Sequence, residues 1–297
     1  MIAALLVLVG LLLLVVPGFI GIPNRGSGRE WAQLSFASLL LGFATFEIGL
    51  TLVALPTVLL TLHAAGFAAI CEHVLTPLSP GGDVIGWTAA LVAGSVAARA
   101  WYAGKRGHQQ ACAAEVEPWL GRHENRGDFD LVVLPTTRLL AMSVPSEQPQ
   151  VLISDGLVDR LDPDQVEAVI RHEATHHRCR HWRYSLIAAS IERSLRPIPG
   201  MRKSTEVLRT ALESWADEAA AGGSVAGRAL VRRAITALAG PIDRRRRLDR
   251  SPARATVGLR FATYAPLLIL AVVSLALFTG WVVGAHHAAA LGGYCPD

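Results

Sequence analysis

The chain has 297 residues, a mean hydropathy of +0.37 and a hydrophobic fraction of 52%, with 18% charged residues and a formal net charge of +4. That balance excludes an ordinary water-soluble domain and points to a membrane. No repeat of 20–50 residues is present, which excludes a solenoid or propeller.

The first element is an uncharged run, Ile2–Ile20, long enough to cross a hydrocarbon core of ~30 Å. It lacks the basic n-region and the small-x-small cleavage site of a signal peptide, so it reads as a first span at about 2–20. A second span is expected at about 34–62, with Pro56 as a kink. A third is expected at about 84–101, where Arg99 snorkels and Trp101 and Tyr102 form an interfacial belt. Between these two, residues 63–80 are amphipathic. Glu72, His73 and two prolines there favour a surface loop over a further span. Glu47 falls inside the second span, where a charge is costly and usually functional. A relay role and a protonated carboxyl packed on a neighbouring helix are both open.

The next stretch, about 160 residues, is one domain's worth. Asp130–Val133 and Val151–Ile153 read as short strands around a Pro/Ser-rich turn. Helices are expected at about 163–194, 204–221 and 224–239, the last stopped by Gly240-Pro241. The first of them opens with Asp162 as N-cap, Pro163 at N1 and Gln165 at N3, a capping box. Val166, Val169 and Ile170 follow at helical spacing, and then residues 172–176 read His-Glu-Ala-Thr-His. Side chains four apart on a helix share a face, so His172 and His176 can hold one zinc ion. Glu173 is placed to act as general base on an attacking water.

Two histidines leave tetrahedral zinc short of a protein ligand. Downstream, the alanine-rich helix that ends at Gly222-Gly223 carries Glu213 and Asp217 four apart, with apolar flanks. Glu213 can complete the metal sphere. Asp217 can accept the remaining N–H of a ligand histidine and fix its tautomer. Along a continuous helix Cys179 is too far from His172 to share its metal and reads as a packing thiol. On the same assumption His177 and His181 point away from the ligand face and read as surface residues.

Beyond this segment, Arg244–Arg247 begins a basic run, expected to meet anionic lipid rather than nucleic acid. Phe261–Ala285 is uncharged and reads as a fourth span. All but two of the 28 Lys and Arg residues lie between Arg99 and Arg260; the others, Arg25 and Arg29, lie between the first two spans. By the positive-inside rule, both termini are expected outside and the 102–260 segment in the cytoplasm. Cys71 and Cys295 would then both face outside, where a bridge between them is allowed.

His-Glu-x-x-His, followed 37 residues later by Glu-x-x-Ala-Asp at Glu213, Ala216 and Asp217, resembles the integral-membrane gluzincins. The BlaR/MecR-type metallopeptidases are the nearer likeness and HtpX-type proteases the more distant one. Residues 150–157 ahead of the capped helix are also similar to that family, as is the plan of three spans, a protease segment and a last span. The resemblance implies an α-helical membrane protein with about four transmembrane helices and an inserted α+β zincin-like metallopeptidase domain. The divisions would be a membrane region at 1–101, a cytoplasmic domain at 102–260, and a last span with its tail at 261–297. It further implies one zinc ion on His172, His176 and Glu213, with Glu173 catalytic and Asp217 orienting. Ala141, Met142, Ser143 and Val144 would be an edge strand that pairs with substrate backbone.

One departure is large. The two lysines, Lys105 and Lys203, do not complete a Ser-x-x-Lys acylation site, so sensing through a β-lactam acylated on this chain is not expected. The function implied is a zinc endopeptidase in the plasma membrane that cleaves a cytoplasmic regulator in signal transduction, with a transcriptional repressor as candidate substrate. Quality control of membrane proteins and a zinc-binding scaffold with little turnover are the alternatives. Partners besides the bilayer and a protein substrate would be further copies in a homo-oligomer; direct nucleic-acid binding is not expected.

Overall fold

The computed structural model describes residues 2–21, 26–61, 82–112, 121–144 and 149–238. The expected fourth span, the 63–80 loop, the Arg244–Arg247 run, Cys71 and Cys295 lie outside the described residues.

Among the described residues, three helices open the chain: α1 (Ile2–Ile20), α2 (Gly28–Thr61) and α3 (Gly82–Cys112). All three are long and apolar enough to cross a membrane. Hydropathy locates their apolar middles but not their polar ends. α2 therefore begins ahead of the expected residue 34, with Arg29 and Glu30 in its first turn, and α3 runs past Trp101 to Cys112. The helix continues through Pro56.

α1 and α2 pack antiparallel at very close range. A Cβ on Gly10 would sit 2.5 Å from the backbone nitrogen of Phe46 and 2.8 Å from the carbonyl oxygen of Gly42. Small residues of this kind let helices approach where lipid provides no hydrophobic drive between them. Ser38 adds a buried bond, its hydroxyl donating to the Leu13 carbonyl at 2.7 Å.

A four-stranded sheet follows, in the order β1 (Arg122–Asn125), β2 (Asp130–Leu134), β4 (Gln150–Ser154), β3 (Ala141–Val144). β2 and β4 are parallel; β1 and β3 run antiparallel to their neighbours. β1 was not expected, because Arg-His-Glu-Asn is exposed throughout and has no apolar alternation to reveal it. One sheet face, with Leu131, Val151 and Ile153, packs against Ile170 and Ala174. Those two residues belong to α5 (Pro163–Arg178), the helix that carries the His-Glu-Ala-Thr-His motif. The short α4 (Asp155–Arg160) links sheet to helix, with the Ser154 hydroxyl accepting from Leu157 N–H at 3.2 Å. Asp162 precedes α5 in extended conformation, and its N–H donates to Gln165 Oε1 at 3.2 Å as the capping box requires.

The single helix expected at 163–194 is in fact two. α5 ends at Arg178, and α6 (His181–Ser194) starts after Arg180, whose backbone is left-handed at φ 51° and ψ 41°. One such residue ends the run of helical hydrogen bonds and turns the chain. α7 (Met201–Ala220) and α8 (Val225–Leu238) complete the described fold.

α7 ties the two halves of the molecule together. Its apolar face, with Met201, Leu208, Ala211 and Leu212 all at most 2% exposed, shares one core with α1, α2, α3 and α6. Leu14 comes from α1, Trp31 and Leu39 from α2, Val96 from α3, Ile191 and Leu195 from α6. Ser204 sits at the α1 contact, accepting from Gly18 N–H at 3.0 Å and donating to the Val15 carbonyl at 3.2 Å. At the other end of α7, Glu218 Oε1 accepts from Gly28 N–H at 2.8 Å and so caps α2.

Because the Gly10 overlap is with backbone, no side-chain rotation relieves it. Gly10→Ala is expected to destabilise the folded protein by about 1–3 kcal/mol, the range for overpacking. Gly94→Ala on α3, where nothing lies within 4 Å, should leave stability unchanged or slightly raised. Thermal unfolding of the two variants in the same detergent compares them directly, and equal midpoints would contradict the close α1–α2 crossing.

Candidate metal centre

His172 and His176 leave α5 on the same face, as their spacing requires, and Glu213 reaches them from α7. His172 Nε2 lies 3.2 Å from His176 Nε2, and each lies 3.6 Å from an oxygen of Glu213. Tetrahedral zinc with bonds of about 2.0–2.2 Å sets neighbouring ligand atoms about 3.3–3.5 Å apart. The three donors therefore already stand near the corners of such a tetrahedron. A bare contact between two imidazole nitrogens needs a proton to bridge it, whereas a cation between them explains all three distances together. The donor set fits zinc.

The remaining nitrogen of His172, Nδ1, lies 2.9 Å from Asp217 Oδ1, and both atoms are closed to solvent. Burial disfavours a charge on this imidazole. Contact with Asp217, and then with Glu213, outweighs that and raises its pKa to about 10. The same two carboxylates that hold a proton there favour a dication. Glu173, next along α5, is half-buried, and its charge also acts on His172.

His181 departs from expectation. It is buried, 2% exposed, and its Nδ1 stands 3.0 Å from Nδ1 of His176. A continuous helix would have set the two side chains about 140° apart. The left-handed Arg180 breaks that helix and returns His181 to the site. Its ring packs on Trp215 at 4.7 Å, and Arg29 of α2 lies 5.5 Å from the centre of that same Trp215 ring. Burial, then the neighbouring His176, pulls its pKa down to about 4, which keeps it neutral. Its Nε2 is buried with no hydrogen-bond partner among the described residues, a cost of about 1–3 kcal/mol. The signal that was available is the Arg178-Cys179-Arg180 run, which marks a helix end rather than a helix interior.

His177 is half-buried rather than on the surface, and burial lowers its pKa, but it is outside the donor cluster. Cys179 caps the end of α5 as a free thiol and also stays out of the cluster. Glu47 lies half-buried in α2 with one carboxyl oxygen shielded and unbonded among the described residues. It has no connection to the metal-type cluster.

β3 runs beside α5 at the edge of the sheet, paired among the described residues with β4 alone. Ala141 packs toward Ile170 and Ala174 on the α5 side, while Met142 is largely exposed. The strand thus lies next to the helix that holds His172 and His176, with no described strand on its other side.

No curated protein and no solved structure matches the chain. What does match is the stretch carrying this cluster: residues 140–240, from just before β3 to just past α8, fit the model of Peptidase family M48, a zinc-dependent metallopeptidase family.

Proposed function

We propose that the protein is a membrane-embedded zinc endopeptidase of the BlaR/MecR type that cleaves a cytoplasmic regulatory protein. The observation that carries the reading is the tetrahedral spacing of His172, His176 and Glu213 with Glu173 adjoining them. When bound, zinc supplies Lewis-acid polarisation of the scissile carbonyl. Glu173 takes a proton from the attacking water as its oxygen adds to the carbonyl carbon, then delivers it to the amine as the C–N bond breaks. Asp217 holds His172 in the tautomer that presents Nε2. An extended substrate segment adds to the free edge of Ala141–Val144, whose backbone bonds align it beside α5.

The three apolar helices support a place in the membrane. The basic residues support an orientation with the 121–238 segment in the cytoplasm. A transcriptional repressor is the substrate class that the likeness to BlaR/MecR proteins offers, and an intracellular cut suits it.

The roles separate by substitution. Glu173→Gln should keep stoichiometric zinc and lose turnover, because it removes only the base. Glu213→Gln should lose zinc as well, since a neutral amide replaces an anionic ligand. Asp217→Asn should bind metal roughly 10–100-fold more weakly. Metal content of the purified proteins checks all three, and full zinc in Glu213→Gln would take Glu213 out of the site. Cytoplasmic peptides compared between cells carrying wild type and Glu173→Gln identify the substrate; identical fragment sets would remove the endopeptidase reading.

Orientation is checked with a reporter that is active only in the cytoplasm. Fused after Leu238, it should be active. Activity only from an export-dependent reporter at the same position would reverse the topology.

A further inference from the structure

The two candidate ligand histidines each have a second nitrogen, and each of these stands within 3.0 Å of a neighbouring polar side-chain atom. His172 turns Nδ1 to Asp217 at 2.9 Å. His176 turns Nδ1 to Nδ1 of His181 at 3.0 Å, with the two rings edge to face at 86°. An imidazole that ligates through Nε2 carries its proton on Nδ1. His176 is then the donor of this bond and His181 the acceptor. His181 in turn bears its own proton on Nε2, a buried atom with no hydrogen-bond partner among the described residues. A phenylalanine would fill the same space without stranding a donor, so the ring nitrogen facing His176 is what distinguishes this residue.

Its surroundings hold that ring still. Arg180 fixes the turn from which it projects, and Trp215 and Tyr184 pack on it at 4.7 and 6.4 Å. Tyr184 packs in turn, tilted by 54°, on Phe36 of α2 at 4.5 Å, and Arg29 of α2 lies over Trp215. The wall behind His176 is therefore built partly by a membrane helix.

We propose that His181 is a positioning residue, whose Nδ1 accepts from His176 Nδ1–H and fixes the tautomer and ring plane of that ligand as Asp217 does for His172. The inference rests on His172, His176 and Glu213 being the metal centre. It adds a second brace, neutral where Asp217 is charged, reached only through the break between α5 and α6.

The test uses the full chain in detergent, with His181→Phe to keep volume and remove the acceptor, and His181→Asn to return an acceptor oxygen. Zinc affinity is measured by chelator competition, and cobalt(II) is loaded in parallel because its visible bands report ligand geometry. His181→Phe should bind zinc 10–100-fold more weakly and shift the cobalt bands, while the metal-free melting midpoint does not fall below the wild-type value. His181→Asn should recover most of both losses. Wild-type affinity and wild-type bands in His181→Phe would overturn the proposal, as would equal losses in both variants. Nitrogen-15 spectra of histidine-labelled, zinc-loaded wild type need no variant: His176 should be protonated on Nδ1, and a proton on its Nε2 would also overturn it. A wild-type chain that binds no metal would instead overturn the metal-centre reading beneath it.

Discussion

α7 has two faces with different obligations, and the contact between them and the rest of the chain organises the molecule. One face is apolar and shares a core with α1, α2, α3 and α6. The other presents Glu213 and Asp217 to the histidines of α5. A helix is stiff over these few turns, so placing the apolar face also places the carboxylates. Residues 213 to 218 concentrate the effect: Glu213 and Asp217 face His172, Trp215 packs on His181, and Glu218 caps α2. The position of a zinc-type donor is thereby tied to the first turn of a membrane helix.

The sheet supplies the complementary half. Its α5-facing side, through Leu131, Val151 and Ile153, holds Ile170 and Ala174, and so sets the rotation of α5 about its own axis. A rotation of one residue, about 100°, would carry His172 and His176 out of reach of Glu213. The 3.2 and 3.6 Å separations therefore depend on two hydrophobic contacts, sheet to α5 and α7 to the spans, neither of which includes a donor atom. β3 gains its place beside the site from the same packing, through Ala141.

Much of the centre was legible because it depends on local periodicity. His172 and His176 sit four apart after a capping signal, and Glu213 and Asp217 repeat that interval on a second amphipathic helix. The three apolar runs were legible by length. His181 was not, because one left-handed residue at Arg180 overrides a periodicity that otherwise continues to Ser194. β1 was not, because its residues are polar and only pairing with β2 makes them a strand. The docking of α7 on α1 and α2 was also hidden: a hydrophobic stripe says that a helix buries a face, and nothing about which distant helix covers it.

That docking bears on what can be isolated. Met201, Leu208, Ala211 and Leu212 are covered in part by Leu14, Trp31 and Leu39, which lie in the first two helices. A fragment cut to begin at the sheet would carry every donor atom yet expose a contiguous apolar surface of the kind that drives aggregation. It would also leave Glu218 without the α2 terminus that it caps. Solubility and a correctly set centre are thus opposed in this protein: the apolar N-terminal helices are the missing wall of the half that holds the donor cluster, and a detergent or bilayer that preserves them is part of any faithful preparation.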